Sequence, residues 1–283
     1  MRIIKSVSEM QSYADALRAE GITIGFVPTM GALHEGHLSL IRKSIEKTDK
    51  TILSIFVNPA QFSPLEDFGK YPRDFVRDEK LAEDLGVDII FYPTEEAMYP
   101  DGYDTYIIVD GLSAQLEGKS RPSHFKGVTT VVNKLFNIVK PHSAFFGQKD
   151  AQQALIIKRM TTDLNLDIDI VICPTIREDD GLAMSSRNSY LSPDSRKQAT
   201  LIHRALKEAE ILHLNEEQSS EILIQKIMET LNSASLVKID YLSIVNLETL
   251  LPVESTKEGA LVAVAVFFDK TRLIDNILLT AAI

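Results

Sequence analysis

The sequence predicts an α/β protein: a doubly wound, mostly parallel sheet followed by a second, smaller α+β domain. Three observations carry this. Short apolar, β-rich runs alternate with helical patterns over about the first 180 residues, the rhythm of β-α-β units. The texture changes after about Ser186, where two long helical patterns precede two apolar runs. The length, 283 residues, suits two domains or one large α/β domain with an appendage.

Strand candidates in the first region are Ile22–Val27, Thr51–Val57, Val87–Tyr92, Tyr106–Val109, Ala144–Phe146 and Asp169–Cys173. The segment "HLSLIRKSIEKT" places Leu38, Ile41 and Ile45 on one helical face. The helix in "RDFVRDEKLAEDLG" carries apolar Phe75, Leu81 and Leu85 and stops at Gly86. Two more helices fit "GVTTVVNKLFNIVK", ended by Pro141, and "KDAQQALIIKRMTTDL". Beyond Ser186, "SPDSRKQATLIHRALKEAEILH" reads as one helix started by Ser192-Pro193, and "SSEILIQKIMETLNSA" as another. "VKIDYLSIVNL" and "ALVAVAVFF" read as strands.

Composition narrows the function. Hydrophobic residues are 45% and charged residues 25%, enough for a real core. The net charge of −10 argues against broad nucleic-acid or anionic-membrane binding, although it leaves room for a local basic pocket. Cys173 is the one cysteine, so no intrachain disulfide forms. The first residues lack the apolar core of a signal peptide, and the longest apolar run is nine residues, too short for a membrane span. A cytoplasmic location is the expectation.

"PTMGALHEGHLSL" follows the first strong strand, the end of a parallel sheet where ligands bind. Three readings compete. Zinc hydrolases space paired histidines as H-E-x-x-H, whereas His34 and His37 are three apart with no adjoining third ligand. A turn with incidental histidines is the plain alternative. A phosphate cradle accounts for more of the stretch. Gly31 and Gly36 permit close backbone approach, a helix starting near Gly36 or His37 offers free N–H groups, and two imidazoles add donors near neutral pH.

Other segments carry compatible chemistry. Gln61, in a polar bend after the second strand, can donate to a carboxylate or hydroxyl and accept from an amine, or can be a solvent-exposed turn residue. In "FFGQKDAQQ", Gly147 allows a turn, Lys149 offers a compact cation, and Asp150 suits Mg²⁺. Gln153 follows Lys149 by four residues, one face of a helix. The plain alternative there is a solvated helix-start pair. Cys173 reads as a small core residue.

H-x-G-H after a first strand resembles the nucleotidyltransferase superfamily, which includes class I aminoacyl-tRNA synthetases. The longer "PTMGALHEGHLSL", with "NPAQFSP", "FFGQKDAQQ", "MSSRN" and "RPSHFKG", resembles the pantothenate synthetase (pantoate–β-alanine ligase) family over nearly all of residues 22–192. That resemblance implies a Rossmann-like catalytic domain binding ATP and pantoate over residues 1–186 and a smaller C-terminal lid domain over 187–283. It implies ATP contacts from Met30, Gly31, Ala32, Leu33, His34, Glu35, Gly36 and His37, with His34 and His37 catalytic. It assigns Gly147, Gln148, Lys149 and Asp150 to ATP, with Asp150 toward Mg²⁺. It assigns Gln61 and Gln153 to pantoate, and gives Ile176 a backbone contact to adenine. Met184, Ser185, Ser186 and Arg187 resemble the mobile K-M-S-K-S loop; two hydroxyls and a guanidinium suit a triphosphate, and a Ser-rich linker is the alternative. Arg121, His124 and Lys126 are placed on a loop before a helix, with no catalytic role. The chain departs from the family at Ser123, usually glycine, and at Gln148, often glutamate.

The implied reaction joins pantoate to β-alanine through a pantoyl-adenylate, releasing AMP and pyrophosphate. The implied partners are pantoate, β-alanine and ATP, with no nucleic acid and no membrane, in a homodimer. Rival readings are a nucleotidyltransferase that adenylylates a phosphate, a tRNA-charging enzyme and a non-catalytic nucleotide-binding module. The acidic, short chain lacks the basic domain a tRNA enzyme would need.

Overall fold

The computed structural model describes residues 1–63 and 68–280. The polypeptide forms two compact units, one of residues 1–147 with 153–174 and one of residues 148–152 with 175–283. Residues 148–152 and 175–186, counted from the sequence with the first domain, fall in the second unit.

The first unit runs β1 (Arg2–Ile4), α1 (Val7–Ala19), β2 (Ile24–Thr29), α2 (Glu35–Lys47), β3 (Lys50–Ile55), α3 (Phe75–Leu85), β4 (Ile89–Phe91), α4 (Glu95–Met98), α5 (Glu117–Ser120), α6 (His124–Val139), β5 (Ser143–Gly147), most of α7 (Ala151–Asp163) and β6 (Asp169–Cys173). Its sheet has the order β1-β4-β3-β2-β5-β6, and every pairing is parallel. β3 and β4 lie to one side of β2, while β5 and β6 lie to the other. The order therefore reverses beside β2, the place where open parallel sheets bind ligands. The carboxyl ends of β2 and β5 release Met30–His34 and Gly147 there. Phe26, Phe91 and Phe145 are fully buried in this core.

The second unit adds α8 (Pro193–Ala199), α9 (Leu201–Leu214), α10 (Ser220–Asn232), β7 (Val237–Val245), β8 (Ala260–Phe268) and β9 (Thr271–Leu279). The three strands form an antiparallel sheet in the order β7-β8-β9. Leu206, Leu223 and Ile227 of the helices pack on Val262, Val264 and Val266 of β8 in one cluster. This is the doubly wound α/β fold with a smaller α+β unit that the sequence predicts.

The elements differ from expectation in four places. Tyr106–Val109 forms no strand and pairs with none among the described residues: the Ile107 N–H donates to Thr130 Oγ1 and its carbonyl accepts from Thr129 Oγ1. Hydroxyls of α6 thus replace a ladder partner. The helix foreseen across residues 192–213 divides at Thr200, whose hydroxyl donates to the Lys197 carbonyl and competes with the ladder. α6 begins at His124, so His124 and Lys126 lie in its first turn and not on a preceding loop. β1, α1 and β9 had no counterpart in the sequence reading. α1 is capped by Ser6 and buries Met10, Ala14 and Leu17. Among the described residues, no helix is long and apolar enough to cross a membrane.

Phe145→Ala should cost about 3–5 kcal/mol of unfolding free energy, since it removes a fully buried ring from the strand beside β2. Urea unfolding followed by circular dichroism measures this. A loss below about 1 kcal/mol contradicts that placement.

Candidate active site

The loop after β2 is held by a carboxylate from α3. Asp78 Oδ2 accepts from the Ala32 N–H and Oδ1 from the Leu33 N–H, each at 2.8 Å. Gly31 has φ +81°, and a Cβ there would lie 2.9 Å from Asp78 Oδ2, so glycine is needed for both conformation and space. Ala32 also adopts a left-handed φ of 51°. Leu33 is driven into the core, and the next residue opens α2.

His34 is the N-cap of α2. Its Nδ1 accepts from the Gly36 N–H at 3.2 Å, and His37 Nδ1 accepts from the His34 N–H at 3.4 Å. The two imidazoles form a reciprocal cap in the manner of a capping box, with ring centroids 4.2 Å apart. Because both Nδ1 atoms accept, each neutral ring carries its proton on Nε2. A pair of Nε2 donors thus stands at the positive end of a helix, a setting that favours an anion. Glu35 is paired with Arg42, which holds its carboxyl below the usual range.

The bend after β3 carries Gln61 in a 3₁₀ turn, Pro59–Gln61. The solvent-turn alternative fails, because Gln61 is only 8% exposed and Asn58 only 1%. Gln61 Oε1 accepts from Asn58 Nδ2 at 3.1 Å, and Gln61 Nε2 lies 3.2 Å from Met30 Sδ. Asn58 Nδ2 also donates to the Gly127 carbonyl at 3.1 Å, while its Oδ1 accepts from the Tyr99 hydroxyl at 2.7 Å. Burial pushes the Tyr99 phenol upward, so it remains a donor. His124 Nδ1 lies 2.9 Å from the Gln61 carbonyl, which can only accept, so His124 donates. Asn58, Tyr99 and His124 are supports that the sequence reading did not assign. The polar Asn58 beside Gln61 was the one visible signal. Gln153 lies in the first turn of α7 and is half-buried.

In the second unit, Gln148–Asp150 form a 3₁₀ turn rather than a helical turn, so the shared helical face inferred for Lys149 and Gln153 does not hold. Lys149 Nζ lies 3.5 Å from Asp150 Oδ1. Gly147 has an ordinary φ and open space where a Cβ would stand, so no tight turn demands it. Ile176 and Met184 close a hairpin: the Met184 N–H donates to the Ile176 carbonyl at 3.0 Å, and Arg177 bridges Ala183. Ser185 caps a 3₁₀ turn at Ser186–Tyr190 by accepting from the Arg187 N–H. Asn188 donates to Glu178 and the Ala183 carbonyl, and Arg196 joins Glu178 and Asp180 at 2.6 and 2.8 Å. The serine-rich stretch is therefore braced rather than a loose linker.

The first unit brings Gly31 on the loop after β2, His34 at the N-cap of α2 and His37 in its first turn into one short stretch, and joins Met30 to Gln61. The second contains Lys149, Asp150, Ile176 and Met184–Arg187. Cys173 is buried and free, and burial raises its thiol, as befits a core residue. Among the described residues, no group of three or more His, Cys, Asp or Glu could hold a metal ion.

Two substitutions test the supports. A Cβ at Gly127 would lie 2.2 Å from the Ala60 carbonyl oxygen and 2.5 Å from the Gln61 nitrogen. Gly127→Ala should therefore lower stability by about 1–3 kcal/mol in urea unfolding; a neutral result contradicts the close approach of α6 to this turn. Burial, the larger cause, raises Asp78 above its ordinary 3.8, against the pull of the Leu33 and Ala32 N–H groups. The folded state then holds this proton more tightly than the unfolded chain. That contribution to stability is complete below about pH 3.8 and is lost as pH rises through the folded value. The wild-type stability, relative to Asp78→Asn, should fall across that window, and a pH-independent difference overturns the assignment.

Known proteins match this chain along nearly its whole length. The family model described as pantoate-beta-alanine ligase matches residues 2–278. The chain is 53% identical over 279 residues to a pantothenate synthetase of Thermotoga petrophila, covering 99% of this chain and 100% of that one. It is 52% identical over 278 residues to that of Acetivibrio thermocellus, covering 98% and 99%. Among solved structures, pantothenate synthetase of Thermus thermophilus superposes with a TM-score of 0.93 at 44% identity, covering 99% of this chain and 100% of that one. Pantoate-beta-alanine ligase of Francisella tularensis, complexed with beta-gamma ATP and beta-alanine, gives 0.80 at 38%, covering 98% and 97%. The chain belongs to the pantoate–β-alanine ligase family.

Proposed function

We propose that this enzyme condenses pantoate with β-alanine, driven by ATP, through a pantoyl-adenylate. A pantoate carboxylate oxygen attacks the α-phosphorus of ATP, the bond to the bridging oxygen breaks, and pyrophosphate leaves. The β-alanine amine then attacks the acyl carbon of the mixed anhydride. AMP leaves, the nitrogen loses a proton, and pantothenate is formed. The observation that carries this reading is the reciprocal cap of His34 and His37, which presents two Nε2 donors at a helix N-terminus.

Charge decides the first step, since a carboxylate must approach a triphosphate. His37 stabilises or protonates the departing pyrophosphate, and His34 shares the phosphate load. Lys149, Ser185, Ser186 and Arg187 neutralise the remaining phosphate oxygens, and Arg187 bridges two of them. Met30 through Gly36 line ATP, Gly147 and Gln148 approach it through the backbone, and Ile176 meets the adenine. Gln61 and Gln153 hold pantoate, an amide being suited to a hydroxy acid. Gln61 arrives pre-ordered, because Asn58, Tyr99 and His124 fix its turn before substrate binds. Closure of the Met184–Arg187 segment keeps water from the anhydride.

Mg²⁺ accompanies ATP in this reading. Asp150 fits it: a hard cation on a triphosphate needs one or two protein carboxylates beside the phosphate oxygens, and Asp150 is half exposed on its 3₁₀ turn. When bound, the ion would offset charge on the phosphates. The same reading makes the enzyme a homodimer, as the family resemblance implies, in the cytoplasm, as the single cysteine suits.

Product analysis with ATP, Mg²⁺, pantoate and β-alanine, each omitted in turn, tests the reaction. AMP release should require β-alanine, whereas ATP–pyrophosphate exchange should require pantoate alone. Release independent of β-alanine points to a different nucleotidyl transfer. His37→Ala should lower the exchange rate by about 10²–10⁴-fold; an unchanged rate removes His37 from catalysis.

A further inference from the structure

β9 is an edge strand of the second unit, and its middle carries two adjacent polar residues with almost no exposure, Asp275 at 3% and Asn276 at 4%. The strand around them is apolar, with Leu273, Ile274, Ile277 and Leu278. Buried polar side chains persist where their hydrogen bonds are satisfied. Successive strand residues face opposite sides, and here each serves a different segment. The Asn276 amide donates to the carbonyls of Gln148 and Lys149 at 2.8 and 2.9 Å, and its oxygen accepts from Gln148 Nε2 at 3.4 Å. The Asp275 carboxylate receives the Arg177 guanidinium bidentately at 2.6 and 3.0 Å and the Asn276 N–H at 2.8 Å. Arg177 also donates to the Gly181 carbonyl at 3.2 Å, closing the hairpin that leads into Met184–Arg187. Gly181 packs directly on His203, where a Cβ would lie 2.2 Å from Nδ1.

We infer that Asp275 and Asn276 are a positioning pair for the ATP phosphates. Asn276 holds the Lys149 segment and Asp275 holds the Ser185–Arg187 segment, both keyed to one strand. The inference rests on the reading of Lys149 and Ser185–Arg187 as phosphate-binding residues. The 3₁₀ turn at Lys149 is a three-residue break between β5 and α7, and the hairpin is closed by an isolated bridge, so neither segment lies inside a regular element. One amide directing both its N–H groups to consecutive carbonyls fixes a turn, and a bidentate Arg–carboxylate fork fixes an orientation that a single ammonium contact would leave loose. On this account the C-terminal strand sets phosphate geometry without touching ATP.

The test uses the full-length enzyme in steady-state kinetics. Asn276→Ala should raise KM for ATP by about tenfold or more, since a displacement of ~1 Å away from the chemistry costs up to ~100-fold. KM for pantoate should stay within about twofold, because Gln61 is held by Asn58 and His124 of the first unit. Arg177→Lys keeps the charge and loses the fork, and should show the same ATP-selective rise; it decides the matter if Asn276→Ala does not fold. Lys149→Ala/Asn276→Ala should bind ATP no worse than Lys149→Ala. A purely structural role would lower the active fraction and Tm with both KM values unchanged, and that result overturns the inference. If Lys149→Ala raises KM for ATP while Asn276→Ala and Arg177→Lys leave it unchanged, the positioning role alone falls. If Lys149→Ala has no effect on ATP, the phosphate-binding reading beneath it falls.

Discussion

The buried carboxylate of Asp78 is the constraint on which the histidine loop depends. Burying a charge is costly unless it is hydrogen-bonded, and here two backbone N–H groups meet it at 2.8 Å. Those contacts hold Gly31 and Ala32 in left-handed conformations that an unsupported loop would abandon. With Leu33 anchored in the core, the chain leaves the bend with His34 at the N-cap of α2. The proton placement on both imidazoles follows from that cap. One carboxylate on α3 thus reaches, through three residues of loop, to the tautomer of His34 and His37.

The Gln61 turn obeys the same logic with neutral groups. Asn58 uses its amide nitrogen for Gln61 and Gly127 and its oxygen for Tyr99 and the Ala60 N–H. A fully satisfied buried network of this kind is rigid, because loss of any member strands the others. Glycine at position 127 lets α6 approach the turn backbone closely enough for Asn58 to reach its carbonyl. An amide ordered in advance would lose little entropy in holding the proposed substrate, which is where positioning contributes to rate.

The second unit solves a different problem. The residues we propose for phosphate binding there lie on a short turn and beside a hairpin, elements with little intrinsic stability. Ion pairs brace the outer side of the hairpin at Glu178, Asp180 and Arg196. Partly exposed pairs of this type contribute little individually. The Arg177–Asp275 pair, whose carboxylate is 2% exposed, is the more demanding contact, since removal of one partner leaves a buried charge.

The sequence by itself determined the alternating α/β order, the smaller C-terminal unit, and the motifs at residues 30–37, 61, 147–153 and 184–187. These signals are local: hydrophobic period, capping residues and glycine spacing act within a few residues. The Ser6 cap and the Met10, Ala14 and Leu17 spacing made α1 legible too, although it went unassigned. Only the tertiary structure decided which groups support the motifs. Asp78 reaches Leu33 across 45 residues, His124 reaches Gln61 across 63, and Asn276 reaches Gln148 across 128. β9 escaped notice because Asp275 and Asn276 interrupt its apolar pattern, and Tyr106–Val109 misled because its backbone is paired by threonine hydroxyls of α6. A hydrogen bond has no sequence period; its partner is set by where two elements pack, and that is a property of the folded chain alone.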